Sequence, residues 1–510
     1  MPSAPSEPEK YSIDEMMDRL KAAPSEGQQD GQLVTRADGS QAIKVRKRKR
    51  RSSQLQKEDT QRTRRSRILQ VSGALILLFT AALAVGSGII YANSSPFREK
   101  LVRNIEEASG AKADLQQFRM NPKTANAAQL TLAWPQGNVL KKLVLTGLDA
   151  EISPSSFLGK SLNGEEVAAN SGSLNLQIPK AGDSVTHGPI VRGDSAITFN
   201  RYRARSLNVT VGDETGPAIS LIQSEGSLTP RNVSGRPQLS LYQGKFSISG
   251  WPKMRLDRAL IEFRGEETDI IGLRILNDKD DRGSFELSGT VSPYRPQQPS
   301  SLAVSLDSFE LSGLIGPELG RLFSGRIDSL PTSKSNYLSF IPTGDPSPKL
   351  EVAFLAAPTS QIEIQGFPFL FALSQILEYE WFERPIFETT SSGTVYREAG
   401  TTSLRDLNLE SKSHLVLRGE ISIAKDQTLS GTLRIGVADA IVATSKSNRL
   451  KAIVSEPQDG FCWMTLQIGG SASAPTDTFK TLFSATVPPQ DALPPVENGG
   501  TSFEELTRPK

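Results

Sequence analysis

The sequence predicts a mainly β protein, in which a single N-terminal transmembrane helix is followed by a long antiparallel sheet that curls into a groove, with a few short helices. Three observations support this prediction. Apolar and polar residues alternate in many short segments, as in strands with one apolar and one polar face. The 510 residues include 41 glycines and 32 prolines, which favour many turns. One segment near the N-terminus is long, apolar and free of charge.

The first region, residues 1–67, is expected to be a basic and mostly disordered cytoplasmic segment. Within it, YSIDEMMDRLKA at 11–22 predicts either a helix that docks a partner or a transient helix. Its basic cluster is typical both of nucleic-acid or nuclear-localisation patches and of segments that flank membrane spans. Because an apolar run follows closely, we favour a role in topology and in binding anionic lipid headgroups, and we expect no nucleic acid as a partner. The residues assigned to this role are Arg46, Lys47, Arg48, Lys49, Arg50, Arg51, Arg64, Arg65 and Arg67.

The second region, residues 68–92, is a predicted transmembrane helix with the sequence ILQVSGALILLFTAALAVGSGIIYA. An uncharged helix of this length can cross a hydrocarbon core of about 30 Å. A cleaved signal peptide is the alternative, but the apolar run is longer than such peptides use and 67 residues precede it. Only Arg98, Lys100 and Arg103 follow it closely. The positive-inside rule therefore places the N-terminus in the cytoplasm and the chain after the span outside it.

The third region, residues 93–487, is predicted to be β-rich and extracytoplasmic. Several of its period-two segments end in glycine, which indicates a bulge or a tight bend. Two apolar segments interrupt the pattern. Residues 311–325 predict a short helix, and residues 367–385 predict a helix that either plugs the sheet or lies on a membrane surface or lipid groove. The final residues, 488–510, predict a disordered proline-rich tail. The predicted strands include residues 173–179, 206–211, 245–250, 284–291, 301–311, 349–354 and 360–366.

The sequence offers little for catalysis or metal binding. Its single cysteine, Cys462, excludes an intramolecular disulfide, and its two histidines, His187 and His414, are not at metal-ligand spacing. Residues 277–286, NDKDDRGSFE, superficially match a calcium loop, but Arg282 stands where an oxygen ligand is needed, which favours a hairpin turn. No phosphate loop, G-x-S-x-G or H-E-x-x-H motif occurs. We therefore predict no catalytic residue, no metal and no cofactor, and a protein that is not an enzyme.

Residues 387–441 contain strand-like motifs in a recurring order. A leucine-x-aspartate-leucine-x-leucine-x-serine run is followed by a nine-residue strand with a central glycine, and then by a leucine-x-glycine-x-leucine strand. A later segment, TLQIGGSASAP, has the glycine, small residues and proline of a closing strand. This order resembles the C-terminal region of AsmA-like proteins of the bacterial envelope, over about 387–483, and the whole resemblance covers roughly residues 130–483. The motifs occupy residues 404–411, 415–423, 429–435 and 465–475.

The resemblance implies a single-pass protein of the inner, cytoplasmic membrane, with its N-terminus in the cytoplasm and its β region in the periplasm. It also implies a distant similarity to bridge-like lipid-transfer proteins. The expected function is lipid handling or transport, or outer-membrane assembly. The expected partners are phospholipid or another envelope lipid, the membrane itself and other envelope proteins.

A curled sheet with one apolar face gives this expectation a physical basis, because acyl chains can lie against leucine, isoleucine, valine and phenylalanine while headgroups stay in water. About 30 strands at about 4.8 Å spacing would make a groove of at most about 140 Å. The alternative is a structural or scaffolding envelope protein, whose apolar face closes into an ordinary core and which binds other membrane proteins. The candidate groove residues are Leu415, Leu417, Ile421, Ile423, Leu433 and Ile435.

Overall fold

The computed structural model describes most of the chain from residue 77 onward and short segments before it. These residues belong to two compact units, Met1–Leu83 and Ala84–Lys510. The basic residues of 46–67, the predicted helix at 11–22 and the predicted tail at 488–510 lie outside the described residues. The described residues are 32–35, 37–39, 41–44, 77–80, 82–83, 85–153, 156, 162–177, 197–213, 216–265, 267–292, 299–331, 335–341, 348–358, 360–454 and 456–486.

In the first unit, two four-residue strands, β1 (Gln32–Thr35) and β2 (Gln41–Lys44), pair antiparallel as a hairpin. Gly39 in the connecting turn has a φ of +83°, which glycine adopts without steric cost. The hairpin lies in the region whose composition predicts mostly disorder. An Asp-Gly pair between two short segments is a known signal for such a turn.

Two helices follow, α1 (Leu77–Ala92) and α2 (Ser95–Ser109), with a bend of 62° between them. Among the described residues, no helix taken alone has the length and apolar character needed to cross a membrane, and only this bent pair passes the same test when its members are combined. Helix α2 ends at Gly110, whose φ is +66°. Residues 68–76 of the predicted span lie outside the described residues, so the span stays a prediction.

The second unit is built mainly of strands. Its first ten strands are β3 (Lys112–Gln116), β4 (Arg119–Met120), β5 (Thr124–Ala133), β6 (Leu140–Ile152), β7 (Leu162–Leu176), β8 (Ile197–Asp213), β9 (Gly216–Thr229), β10 (Gln238–Tyr242), β11 (Lys245–Ile248) and β12 (Met254–Arg264). The next ten are β13 (Glu267–Asn277), β14 (Ser284–Val291), β15 (Ser300–Asp307), β16 (Phe309–Glu310), β17 (Phe323–Ser324), β18 (Arg326–Ser329), β19 (Tyr337–Phe340), β20 (Lys349–Ala356), β21 (Ile362–Ile364) and β22 (Ile386–Phe387). The last are β23 (Ser392–Glu398), β24 (Thr401–Ser411), β25 (Leu415–Ile423), β26 (Leu429–Ala438), β27 (Glu456–Gln458), β28 (Phe461–Ser471) and β29 (Ala474–Asp477).

Short helices are placed between these strands. They are α3 (Ser312–Leu319), α4 (Pro368–Leu377), a 3₁₀ helix (Glu380–Glu383), α5 (Asp439–Thr444), α6 (Asn448–Ile453) and α7 (Phe479–Ala485).

Most strands join one sheet in which each strand pairs with a strand close to it in sequence, while β17, β21 and β22 form a small sheet of their own. The pairing is antiparallel except between β7 and β8, which run parallel. This arrangement confirms a mainly β chain with a large antiparallel sheet, in which the β7–β8 pair is a parallel exception. Parallel neighbours need a long crossover connection, and residues 177–196 separate these two strands.

The second half of the sheet, from β12 to β28, packs against α3 and α4 in one hydrophobic core. Leu314 and Leu319 of α3, and Phe369 and Leu373 of α4, have no exposed surface. Of the two alternatives for residues 367–385, the helix that plugs the sheet is therefore confirmed. A membrane-surface helix would instead expose one apolar face.

The turn between β13 and β14 is a hairpin, as its residues predict. Its carboxylates face arginines, because Asp280 pairs with Arg326 and Asp281 pairs with Arg255. Gly283 has a φ of +105°, and a Cβ atom there would lie 2.0 Å from the carbonyl oxygen of Ser308. The glycine therefore permits a close approach of the turn to the chain between β15 and β16.

Candidate functional site

The six candidate groove residues lie inside the packed core of the second half. Five of them, on β25 and β26, have 0 % of their surface exposed, and Ile423 has 7 %. A side chain without exposed surface leaves no space beside it for an acyl chain. The prediction of an open groove at these positions is therefore wrong, and the closed-core alternative describes this half of the sheet. The five fully buried residues are Leu415, Leu417, Ile421, Leu433 and Ile435.

These strands share one hydrophobic core with the two apolar helices and with the aromatic residues beside them. Phe367 and Phe369 contact each other with ring centroids 5.6 Å apart, and Phe323 meets Phe367 at 5.9 Å. All three rings are at most 1 % exposed. Period-two alternation indicates that a strand has one apolar face, but it does not indicate which other element covers that face.

The first half of the sheet has a different surface. Residues that face one another across neighbouring strands point to the same side of a sheet. One such row crosses the sheet from β5 to β12, and its central members, on β6, β7 and β8, are only half-buried. The row consists of Leu132, Leu143, Leu174, Val209, Leu221, Phe246 and Met254.

Further apolar residues extend this half-buried area along the same strands. Leu145 faces Gly172, and a Cβ atom on that glycine would lie 3.0 Å from the Leu145 Cδ2 atom, so the leucine side chain lies over the glycine. Leu176 faces Val211 across the parallel pair. We call this area the open apolar face and define it by six half-buried residues on β6, β7 and β8. They are Leu143, Leu145, Leu174, Leu176, Val209 and Val211.

Helix α2 covers one margin of the same side of the sheet. Leu101 of α2 is 5 % exposed and packs with Leu115 and Ala127 in a small core. Leu130 and Leu148, which share the side of the open apolar face, are partly buried against that core. Within the described residues, Leu143, Leu145, Leu176 and Val211 belong to none of the hydrophobic cores.

The opposite side of the same strands is mostly polar, although it also carries Val144 and Ile222, which is 43 % exposed. The hydroxyl groups of Thr146 and Ser171 are 2.5 Å apart, and the hydroxyl of Thr210 donates to the Asn175 amide oxygen at 2.7 Å. Arg203 pairs with Glu225 at 2.7 Å on exposed side chains. The strands β6 to β9 therefore separate a hydrogen-bonded polar side from an uncharged apolar side.

The first strands of the sheet are hydrogen-bonded to the residue that follows α1. The side chain of Asn93, just after α1, donates to the Met120 carbonyl oxygen on β4 and accepts from the Met120 N–H, both at 2.8 Å. Phe97 of α2 stacks on Phe118 with ring centroids 6.3 Å apart. Ala92 is 2 % exposed. These contacts fix the helix junction against the first strands of the sheet.

Two other chemically distinctive side chains have structural surroundings. Arg397 donates to the carbonyl oxygens of Leu314 and Gly250, both at 2.6 Å, and burial lowers its pKa to about 10. It therefore stays cationic while it ties α3 to the turn before β12. The Cys462 thiol donates to Asp439 at 3.0 Å, and burial raises its pKa to about 11. At neutral pH it is a protonated thiol and a poor nucleophile.

The residues that the structure describes contain no group of three or more histidine, cysteine, aspartate or glutamate side chains that could hold a metal ion. The open apolar face was missed as a site in the sequence, although its strands at 173–179 and 206–211 were predicted. The order of the segments carried a signal for an uncovered first half. Both apolar helical segments that could cover a sheet, 311–325 and 367–385, follow the first half in the sequence.

Comparison of the chain with protein-family models, with curated proteins and with solved structures yields no match. The resemblance to AsmA-like proteins is therefore an expectation that rests on the sequence motifs alone.

Proposed function

We propose that this chain is a non-enzymatic, single-pass protein of the inner membrane that binds phospholipid or another envelope lipid on its open apolar face. Its N-terminus would lie in the cytoplasm and its sheet in the periplasm, where it would take part in lipid handling or outer-membrane assembly. The observation that supports this proposal is a half-buried, uncharged apolar surface on β6 to β8, backed by a polar side.

The physical reason is the free energy of removing apolar surface from water, about 25 cal/mol per Å². The six leucine and valine side chains of the open apolar face keep part of their surface exposed. Acyl chains laid across them would bury that surface without leaving a charge or hydrogen-bonding group unpaired. A polar ligand would gain no such partner on this side of the strands.

A pair of neighbouring substitutions tests this proposal in the full chain. Leu145→Asp places a charge on the open apolar face, whereas Thr146→Asp places the same charge on the polar side of the same strand. We expect both variants to fold, because neither position is fully buried. Lipid that co-purifies with the protein, measured by mass spectrometry, should be lost from Leu145→Asp only. Thermal unfolding of both variants provides the folding control.

Two results would contradict the proposal. One is a purified wild-type protein that holds no lipid after extraction in mild detergent. The other is a folded Leu145→Asp variant that keeps as much lipid as Thr146→Asp.

A scaffolding function is the second candidate, and the closed core of the second half favours it. That half buries the whole apolar side of β23 to β28 against helices and has no open face of the same kind among its described residues. If scaffolding is the function, the wild-type chain should co-purify with other envelope proteins and without lipid.

A further inference from the structure

The end of α1 carries apolar and aromatic side chains that the sheet leaves uncovered. Ile90 and Tyr91 are exposed, whereas Ala92, the last residue of the helix, is buried against the first strands. The Tyr91 ring contacts the Phe97 ring in a T-shaped arrangement, with centroids 5.7 Å apart, and Phe97 stacks on Phe118 before β4. A row of three rings therefore leads from the open surface of α1 to the first strands of the sheet.

Basic side chains lie around this row of rings. Within α2, every basic residue comes before Glu106 and Glu107, which lie near the end of the helix. Two further basic residues lie on β4 and in the turn from β4 to β5. The exposed carboxylates at this end are those of Glu99 and Glu151, so positive charge is in excess. We call the exposed basic residues the basic collar, and they are Arg98, Lys100, Arg103, Arg119 and Lys123.

The junction between α1 and α2 keeps the basic collar close to the end of α1. The two hydrogen bonds between Asn93 and the Met120 backbone hold β4 beside the last turn of the helix. Helix α2 continues at 62° to α1, so α2 would lie roughly 30° from the plane of a bilayer whose normal α1 follows. Its 15 residues, about 22 Å long, would then rise by only about 10 Å. The basic first part of α2 is therefore nearest to the bilayer, and its acidic end is farthest away.

This combination of side chains fits the interfacial layer of a membrane. Aromatic rings are enriched where a span meets the headgroups, and lysine and arginine side chains extend their charges toward that layer. Positive charge close to a membrane surface attracts anionic lipids. Because the rings continue the apolar surface of α1 up to the basic collar, the bilayer that α1 enters is the partner that this surface fits.

We infer that the basic collar binds the anionic phospholipid headgroups of the leaflet that faces the sheet, and thereby holds the first strands against the bilayer surface. This inference rests on the membrane span of the proposed function. It adds a second site of lipid contact, which is separate from the open apolar face.

Photo-crosslinking in the full chain tests this inference. The crosslinking residue p-benzoylphenylalanine replaces either Phe118, beside the basic collar, or Tyr379, an exposed ring after α4 in the second half of the sheet. The protein is inserted into vesicles of phosphatidylglycerol and phosphatidylethanolamine in equal parts and irradiated, and lipid adducts are identified by mass spectrometry. We expect adducts at position 118 and none at position 379. Phosphatidylglycerol should be in clear excess among the adducts.

A pair of double variants tests the role of charge. Arg119→Gln with Lys123→Gln removes two charges of the basic collar, and the phosphatidylglycerol share of the adducts at position 118 should fall toward the half that the vesicles contain. Lys112→Gln with Lys142→Gln is the matched control and should leave that share unchanged. Both control lysines are exposed and lie opposite Ala133, at the other end of the same strands. Thermal unfolding of both double variants provides the folding control.

The outcomes separate this inference from the proposed function. A full chain that does not enter the vesicles would overturn both. An inserted chain without adducts at position 118, or with as many at position 379, would overturn the basic collar and leave lipid binding on the open apolar face intact. An equal phosphatidylglycerol share in wild type and in the Arg119→Gln, Lys123→Gln variant would also overturn it.

Discussion

At the scale of single residues, burial separates leucines that look alike in the sequence. Leu145 and Leu417 each follow a valine and precede a polar residue on a strand, yet Leu417 is 0 % exposed and Leu145 is half-buried. The difference arises from α3 and α4, which lie far from Leu145 in sequence and cover only the second half of the sheet. The local sequence around each leucine therefore could not assign it to a core or to an open surface.

Truncation of one leucine measures this difference. Leu417→Ala should lower the free energy of unfolding by about 2–5 kcal/mol, because it leaves a cavity in a packed core. Glu420→Ala, on the exposed side of the same strand, should change it by no more than about 0.5 kcal/mol. Urea unfolding of both variants is the measurement. Equal stability of Leu417→Ala and wild type would show that this core is loose enough to accept a ligand.

At the scale of elements, the sequence predicted several strands of the second half, some of them with accurate bounds. The nine residues at 415–423 form β25, and residues 404–411 lie within β24. These strands were predictable because apolar residues take most alternate positions and turn residues flank them. The parallel pairing of β7 and β8 could not be predicted from the sequence. Strand direction depends on the path of a long connection and not on the pattern of the strands themselves.

The junction between α1 and the sheet gives a second prediction. Asn93→Ala removes both hydrogen bonds from the side chain to the Met120 backbone, and unpaired buried backbone groups cost about 1–3 kcal/mol each. Met120 is 3 % exposed, so water cannot readily replace the lost partner. We expect faster hydrogen exchange at the Met120 amide and a free energy of unfolding that is lower by at least about 1–3 kcal/mol.

Asn121→Ala is the control for this junction. The Asn121 side chain donates to the Thr124 hydroxyl, three residues along the chain, and makes no comparable link to α1. Its removal should leave exchange at Met120 unchanged. Equal exchange in wild type and Asn93→Ala would show that the aromatic contacts of Phe97 hold the junction without Asn93.

At the scale of the whole molecule, the proposed orientation predicts opposite results for reporters at the two ends. A reporter fused after Lys510 should be active only outside the cytoplasm, and one fused before Lys44 should be active only inside. The reason is the excess of basic residues before the apolar run over the three that follow it. Cytoplasmic activity of the C-terminal fusion would contradict the orientation.

Neutral replacement of the basic cluster tests the cause of that orientation. Insertion should become mixed, so that both reporters show activity in both compartments. Replacement of Lys141 and Lys142, which lie well after the helices, is the control and should leave the orientation unchanged. The replaced cluster comprises Arg46, Lys47, Arg48, Lys49, Arg50, Arg51, Arg64, Arg65 and Arg67.

Because helices pack against only the second half of the sheet, the two halves should differ in how readily they unfold locally. Regions with few buried apolar contacts open locally at a lower free energy than packed regions, which exchange only when the whole domain unfolds. Strands β6 to β8 should therefore unfold locally and refold many times, while the backbone amides of β23 to β28 remain protected from hydrogen exchange. If the proposed lipid binding is correct, lipid would enter through such a local opening, while the second half would stay folded.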